Sequence, residues 1–472
     1  FSDNAVFTLD VLRRFLKFSA IGVVAVGLAT FTFYEGSHQY VELSSLAKET
    51  DPDVKKWGWD RDGGEEWRWS GGDNGGTDPN LGLKASHAVR SAWMALNWPL
   101  ASSGSVINSK AFSGRGGGGV SMVEARLEMA QEFLTIAINL AKARADRLHP
   151  DTLPTLLARH AGILERMGTR DALFECRSEY EQVWHALPAQ ALDPARVALK
   201  LGDLNKRLGD EADALSWWSR AIHLAADTPD PTPAVPPTLP ASPLAQRTLA
   251  QTLVSLSAYY ATTNQLKPAS ALESAALALL TPALTAPTPP TAYPAHTLHT
   301  LFLRHRAALL ALHRAEVAHA LRAADTPWCA AQLESAARAS EGVVLALTGA
   351  PAVHPDAPES AIPHPPVPEG ERALLRAWGD SQSMRRPAGS LLRDARRSAA
   401  EAWNLVGVLC EGVGRQKGKG DVERALECYE RALGWAGVKA DRVGNVAEPG
   451  EATLEAEWRV LWGNYVRVRE VV

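Results

Sequence analysis

Residues 402–433 read AWNLVGVLCEGVGRQKGKGDVERALECYERAL and contain two apolar patterns with helical spacing, separated by a glycine-rich basic run. Small residues at fixed places in two such helices let their backbones approach closely, and large residues fill the gaps beside them. This stretch therefore predicts a hairpin of two helices. The residues that carry the pattern are Trp403, Val406, Gly407 and Cys410 in the first helix and Ala425, Tyr429 and Ala432 in the second.

Two further stretches carry this pattern, which is that of the tetratricopeptide repeat, W-x2-L-G-x2-Y followed by A-x3-F. Gly202 and Ala214 are 12 positions apart in one of them, whereas Gly407 and Ala425 are 18 apart. The last repeat thus has six extra residues, which we place in its turn, in the run GVGRQKGKG. The second match comprises Ala198, Leu201, Gly202 and Asn205 with Ala214, Trp218 and Ala221, and the third comprises Leu253, Leu256, Ser257 and Tyr260 with Ala269 and Ala276.

The repeat region also contains positions that depart from the pattern. Glu273 stands where the third match would have an aromatic residue, and His160 lies in a degenerate first repeat. Proline-rich runs at residues 228–243, 281–294 and 349–370 interrupt the later helices, because proline cannot donate the backbone hydrogen bond of a helix interior. We expect these runs to form long loops.

The fold class predicted from these observations is all-α. A single transmembrane helix at the N-terminus precedes a tetratricopeptide-type solenoid of helical hairpins with long proline-rich insertion loops. The predicted domains are an N-terminal segment at 1–12, a transmembrane anchor at 13–36, a tryptophan- and glycine-rich connector with a short helix at 37–119, and a repeat domain at 120–472 with a capping helix at 453–471.

The anchor prediction rests on residues 18–34, FSAIGVVAVGLATFTFY, which carry no charge. A buried core helix would show one polar stripe, whereas this segment is apolar on every side. Arg13, Arg14 and Lys17 precede it and acidic residues follow it, so the N-terminus is expected to remain on the side of synthesis. The bulk of the chain is then expected across the bilayer.

The connector contains six tryptophans, and two interpretations of them remain open. Indole rings favour the membrane interface, and this segment follows the anchor directly. The alternative is that the rings pack on the first repeat helices, which the surrounding glycines and acidic residues favour. The six are Trp57, Trp59, Trp67, Trp69, Trp93 and Trp98.

Composition bears on the remaining function classes. Lys and Arg number 49 against 53 Asp and Glu, with no dense basic tract, so we expect no nucleic-acid partner. Four widely spaced cysteines form no C-x-x-C pair, and the run GRGGGG at residues 114–119 lacks the G-K-[ST] of a phosphate loop. The sequence therefore predicts no catalytic residues, no cofactor and no metal, and we expect a protein that is not an enzyme.

One family resemblance is specific to the N-terminal region. The anchor, the run FYEGSHQYVE at residues 33–42 and the run WSGGDNGGTDPNLGLKASHAVRSAWMALNW at residues 69–98 resemble the fungal tetratricopeptide adaptor subunit of the mitochondrial i-AAA protease. The resemblance is closest over roughly the first hundred residues, and the repeat region agrees with it only in type. It implies an inner-membrane protein with its N-terminus in the matrix and its repeats in the intermembrane space. It also implies the i-AAA protease as a partner, together with a second adaptor subunit.

Repeats of this type present the first helix of each hairpin on a concave surface, where extended segments of partner proteins lie. The resemblance implies that this groove holds misfolded or unassembled membrane proteins for delivery to the protease. The alternative hypothesis is a static scaffold or assembly factor for an inner-membrane complex, without client delivery. The predicted protein-binding residues are Arg196, Asp203, Lys206 and Arg207 in one repeat and Glu401, Asn404 and Glu411 in the last.

Overall fold

A computed structural model describes residues 2–62, 75–98, 106–108, 122–187, 193–226, 235–285, 293–351, 373–417, 419–439, 448–449 and 458–470. Within these ranges α-helices dominate, and the strands are two short antiparallel pairs. The pairs join Val106–Asn108 (β1) to Met122–Glu124 (β2) and Val438–Lys439 (β3) to Glu448–Pro449 (β4). The prediction of an all-helical protein with a long apolar helix at its N-terminus is confirmed.

Helix α1 (Ser2–Tyr40) includes both the predicted N-terminal segment and the predicted anchor. The boundary that we placed at residue 12 is therefore not a structural break, because no proline or glycine interrupts the helix there. The stretch Val11–Ser45 is long and apolar enough to cross a membrane, and none of its most apolar window is buried within the protein. A π-helical turn, Val41–Ser45, extends the helix at its C-terminal end.

The chain divides into two compact units. Unit 1 comprises Phe1–Lys48 and Arg68–Val183, and unit 2 comprises Glu49–Trp67 and Trp184–Val472. This division differs from the single repeat domain predicted at 120–472. It also assigns part of the predicted connector to unit 2, through side-chain contacts described below.

In unit 1, helix α1 is followed by helices that pack in sequence order, α4 (Leu83–Asn97) against α5 (Ala125–Lys142) and α5 against α6 (Thr152–Met167). The short helix predicted in the connector is α4, so its prediction is confirmed. Asp78 connects two parts of the unit, since its carboxylate accepts hydrogen bonds from the His149 amide at 2.9 Å and the Thr152 hydroxyl at 2.6 Å. The helices of unit 1 that follow α1 are α4 (Leu83–Asn97), α5 (Ala125–Lys142), α6 (Thr152–Met167) and most of α7 (Arg170–His185).

Unit 2 contains the three strongest repeat matches. Its helices also pack mainly on their neighbours in sequence, so that each long helix contacts the next. They are α2 (Pro52–Lys56), α3 (Trp59–Asp62), α8 (Pro194–Leu208), α9 (Glu211–Ala226), α10 (Pro243–Thr262), α11 (Leu266–Thr285), α12 (Pro294–Ala320), α13 (Thr326–Thr348), α14 (Arg376–Gly379), α15 (Gln382–Lys417), α16 (Lys419–Ala436) and α17 (Trp458–Arg469).

Local sequence signals define the ends of several of these helices. Asp193 caps α8 by accepting a hydrogen bond from the amide of Ala195 at 3.0 Å, and Pro194 begins the helix. Gly209 ends it in the left-handed conformation, with φ at 95°, which costs a glycine little because it has no Cβ.

The signature glycines of two repeats face aromatic rings. A Cβ added at Gly202 would lie 2.4 Å from the Trp218 ring, and one added at Gly407 would lie 2.6 Å from the Tyr429 ring. Both rings are fully buried. The close approach that the pattern predicts is therefore present, and in the last repeat the ring of Tyr429 fills the space beside Gly407.

Two predicted loops differ from the structure. Helix α15 continues to Lys417 and α16 begins at Lys419, so most of the run GVGRQKGKG is helical and not a long turn. Helix α11 also continues through Pro282 to Thr285. Proline is tolerated there because near a helix end it removes a single backbone bond. Parts of the proline-rich runs, residues 228–234, 286–292 and 352–370, lie outside the described residues.

The contact between Gly407 and Tyr429 yields a stability test. Replacing Gly407 with Ala should lower the free energy of unfolding by about 1 to 3 kcal/mol, because the new methyl group overlaps a ring that has no space to move. The ring is held by the Tyr429 hydroxyl, which donates to Glu411 at 3.0 Å. Thermal unfolding followed by circular dichroism measures the effect.

The matched control is Gly412→Ala in the same helix, where an added Cβ meets no atom within 4 Å. Alanine is the better helix former, so this control should be neutral or slightly stabilising. Equal melting temperatures for the two variants would contradict the packing described here.

Candidate protein-binding surface

The residues predicted on α8 lie in three different environments. Arg207 is exposed, whereas Asp203 and Lys206 are half-buried. Asp203 also has a structural role, because its carboxylate accepts a hydrogen bond from the Trp218 indole at 3.0 Å. Burial, followed by the nearby charge of Arg247, lowers the pKa of Arg196 to about 10. The Arg196 side chain is thus half-buried near the guanidinium group of Arg247, and less of it is accessible to a partner than we predicted.

In the last repeat, two of the three predicted binding positions are used by the final helix. Asn464 of α17 donates a hydrogen bond to the Asn404 side chain at 2.8 Å, and Arg467 donates to Glu411 at 2.7 Å. Glu411 is buried. The prediction that Asn404 and Glu411 face a ligand is therefore wrong, since the capping helix covers them. Glu401 remains exposed.

Helix α12 carries no repeat signature. It contributes side chains near the accessible predicted positions on α8 and α15. Burial, followed by the nearby charge of Lys206, lowers the pKa of His313 on this helix to about 4. The side chain of Glu316 on the same helix is exposed to solvent, although many protein atoms lie around its carboxyl group. Burial and the like charges of Glu401 and Glu273 raise the Glu316 pKa to about 7. We refer to Asp203, Lys206, His313, Glu316 and Glu401 as the polar surface.

A sequence signal for the α12 contribution existed. His299, Arg306 and His313 are seven residues apart, and seven residues are almost two helical turns, so the three share one face. Arg306 on this face donates to Asp394 of α15 at 3.2 Å. The heptad of basic side chains in an alanine-rich helix therefore predicts a polar face that repeat matching alone misses.

A serine, a histidine and a glutamate meet beneath the polar surface. The Ser257 hydroxyl donates to Glu273 at 2.9 Å and lies 3.0 Å from His313 Nδ1. In a nucleophilic triad the histidine lies between the serine and the acid, whereas here the serine lies between the other two. The arrangement satisfies buried polar groups, and its order is not that of hydrolytic enzymes.

The connector residues Trp57 and Trp59 pack on unit 2, which decides between the two interpretations of these tryptophans. Trp59 is fully buried, and its indole donates to the carbonyl of Ala295 at 2.8 Å. The guanidinium carbon of Arg247 lies 3.8 Å from the Trp59 ring centroid. The contacts of these residues and their helices are with α10, α12 and α15, whereas we had expected contacts with the first repeat helices. Trp67 and Trp69 lie outside the described residues.

Arg247 fixes the backbone of this connector segment. Its guanidinium donates to the carbonyls of Trp57 at 2.9 Å and Gly58 at 3.1 Å. It also lies 3.1 Å from His299 Nδ1. Burial lowers the pKa of Arg247 to about 9, an effect that Asp60 opposes.

A half-open cavity of about 460 Å³ adjoins the docked connector. Trp57 and His296 form one wall, stacked with centroids 4.3 Å apart. His299 lies at the cavity, and burial followed by the charges of Arg247 and His296 lowers its pKa to about 3. The neutral His299 side chain is hydrogen-bonded on its other nitrogen to Gln246 at 3.0 Å.

No family model matches the chain, and no curated protein matches it either.

The buried carboxyl group of Glu273 yields a pH prediction. Burial raises its pKa to about 7 from an ordinary value of 4.5, although Ser257 and Arg314 oppose the change. The fold therefore favours the protonated form, and the resulting stability is present below pH 4.5 and lost as the pH rises through 7. Glu273→Gln should remove this loss, so the variant should gain about 1 to 3 kcal/mol over the parent between pH 5 and pH 8.

Urea unfolding of both proteins at the two pH values measures this difference. His299 and His313 titrate in the opposite sense in parent and variant alike, so they cancel in the comparison. The control Glu423→Gln, at an exposed position, should change stability by the same small amount at both pH values. A parallel pH dependence for parent and Glu273→Gln would show that the carboxyl group is not buried as described.

Proposed function

We propose that this protein is a membrane-anchored adaptor that presents misfolded or unassembled membrane proteins to the mitochondrial i-AAA protease. The observation that carries the proposal is the repetition of one packing device beside a polar surface. Gly202 faces Trp218 in one hairpin and Gly407 faces Tyr429 in another. This recurrence supports a solenoid of tetratricopeptide type, whose inner helices bind other proteins.

The polar surface supports the binding of extended protein segments. It carries both signs of charge, with the cation Lys206 and the carboxyl groups of Asp203 and Glu401, beside the neutral imidazole of His313. Mixed charge offers hydrogen bonds to many different chains and selects none strongly. An unfolded client loses conformational entropy when it binds, so each contact is expected to be weak. Weak and varied binding suits an adaptor.

Helix α1 supports the membrane anchor. Its apolar segment is exposed along its length, with Val23 73% and Phe31 64% accessible. Such a surface is stable when lipid covers it. The positive charges of Arg13, Arg14 and Lys17 support an N-terminus in the matrix and helical units in the intermembrane space. The identity of the protease rests on the resemblance at residues 33–42 and 69–98.

The topology is tested by protease protection. A tag on the C-terminus should be digested when protease is added to mitochondria with opened outer membranes, because the positive-inside rule retains the N-terminal side. A matrix protein in the same sample should stay intact as the control. Survival of the tag would reverse the proposed orientation.

Client binding is tested by exchanging charges on the polar surface. The full-length variant Lys206→Glu with Glu316→Lys should retain the i-AAA protease on affinity purification but recover fewer client proteins. The matched control is Lys267→Glu with Glu423→Lys, at exposed positions on α11 and α16. Quantitative mass spectrometry of detergent-solubilised mitochondria compares the three proteins.

Each outcome bears on a different part of the proposal. Equal client recovery by both variants removes the polar surface as the binding site. Failure of the parent to recover any protease removes the adaptor assignment. Loss of a single stoichiometric partner, with unchanged turnover of misfolded membrane proteins, would favour the static scaffold.

A further inference from the structure

Three side chains with metal-ligating atoms meet in unit 1. His160 lies on α6, and Glu175 and Glu179 lie one turn apart on α7. A ligating atom from each lies within 4.8 Å of those of the other two. His160 and Glu179 are buried, at 2% and 8% exposure, whereas Glu175 is exposed. The cluster is thus buried at His160 and Glu179 and open to solvent at Glu175.

The hydrogen bonds around His160 determine which ring nitrogen faces the carboxylates. The Thr135 hydroxyl on α5 donates to the Gln131 carbonyl at 3.0 Å, so its oxygen accepts from His160 Nε2, 3.2 Å away. In this tautomer the lone pair of His160 Nδ1 faces Glu179. Metal-ligating histidines are typically held in this way, with the second nitrogen donating to an outer partner.

Both carboxylate oxygens of Glu179 lie 2.8 Å from His160 Nδ1. A lone pair and a carboxylate repel each other at this distance unless a positive charge lies between them. A proton or a metal ion can supply that charge. The nearly symmetric position of the two oxygens suits an ion that both can approach.

The formal charges of the three side chains suit a divalent ion. Two carboxylates and one imidazole together carry two negative charges when ionised, which one divalent ion neutralises.

We propose that His160, Glu175 and Glu179 bind a divalent transition-metal ion such as Zn²⁺. One imidazole nitrogen and two carboxylates are ligands that zinc accepts, and water on the exposed side of Glu175 completes a tetrahedral shell. The ion would connect α6 to α7 and, through Thr135, to α5. This site stands apart from the proposed adaptor function, and it differs from our expectation that the chain binds no metal.

The test uses the purified full-length protein in detergent, stripped of metal with a chelator. Isothermal titration with ZnCl₂ should show binding to the parent, and Glu175→Gln should weaken that affinity at least tenfold, because it removes an anionic ligand. The control is Glu181→Gln on the same helix, whose side chain is 46% exposed and lies 3.9 Å from Arg177. This control should leave the affinity unchanged.

Two further measurements separate metal binding from a folding defect. The chelator-treated Glu175→Gln variant should melt at the parent temperature, since Glu175 is exposed. X-ray absorption of the zinc-loaded parent should show one imidazole and oxygen ligands, without sulfur. Absence of zinc binding by the parent, equal affinities for the parent and Glu175→Gln, or a sulfur ligand would overturn the proposal.

Discussion

The guanidinium group of Arg247 is the contact on which the organisation of unit 2 depends. Removing such a charge from water is costly unless hydrogen bonds and nearby opposite charge replace the lost hydration. Here the carbonyls of Trp57 and Gly58, the ring of Trp59 and the charge of Asp60 replace it. Because two of these partners are backbone atoms of the connector, the charge can be buried only when the connector is in place. Residues that follow the long apolar helix α1 in sequence thereby become part of the unit that carries the polar surface.

A second buried charge, the carboxylate of Glu341, likewise connects separate segments in the C-terminal half of unit 2. The carboxylate of Glu341 on α13 accepts hydrogen bonds from the indoles of Trp403 and Trp435 at 2.6 and 2.7 Å, and from Arg431 at 2.6 and 2.7 Å. Three helices therefore share one satisfied polar centre. Its hydrogen bonds have directions, which an apolar contact lacks, so they specify how these helices are arranged. We predicted that the Trp403 ring fills space between helices, but its indole N–H also needs Glu341 as a hydrogen-bond acceptor.

The predicted binding residues on α8 and on α15 differ in how many stay accessible. Lys206 and Glu401 are part of the polar surface, whereas α17 uses Asn404 and Glu411 for its own attachment. A terminal helix must cover the apolar face of the last hairpin, and it brings polar side chains with it. The predicted positions that stay accessible are thus on α8 and at Glu401, and not beneath α17. Other polar groups near them are His313 and Glu316 of α12.

The sequence by itself determined the features that depend on neighbouring residues. Helix α1 follows from an uninterrupted apolar run, and the hairpins around Gly202 and Gly407 follow from the spacing of small and large residues along single helices. Only the tertiary structure decided which distant segments meet. Trp59 bonds to Ala295, 236 positions away, and His160 bonds to Glu179 on the next helix while Thr135 holds its other nitrogen. Helical periodicity sets the face on which a side chain lies, but the partner of that face is set by how whole helices pack, and no local pattern in the sequence encodes that choice.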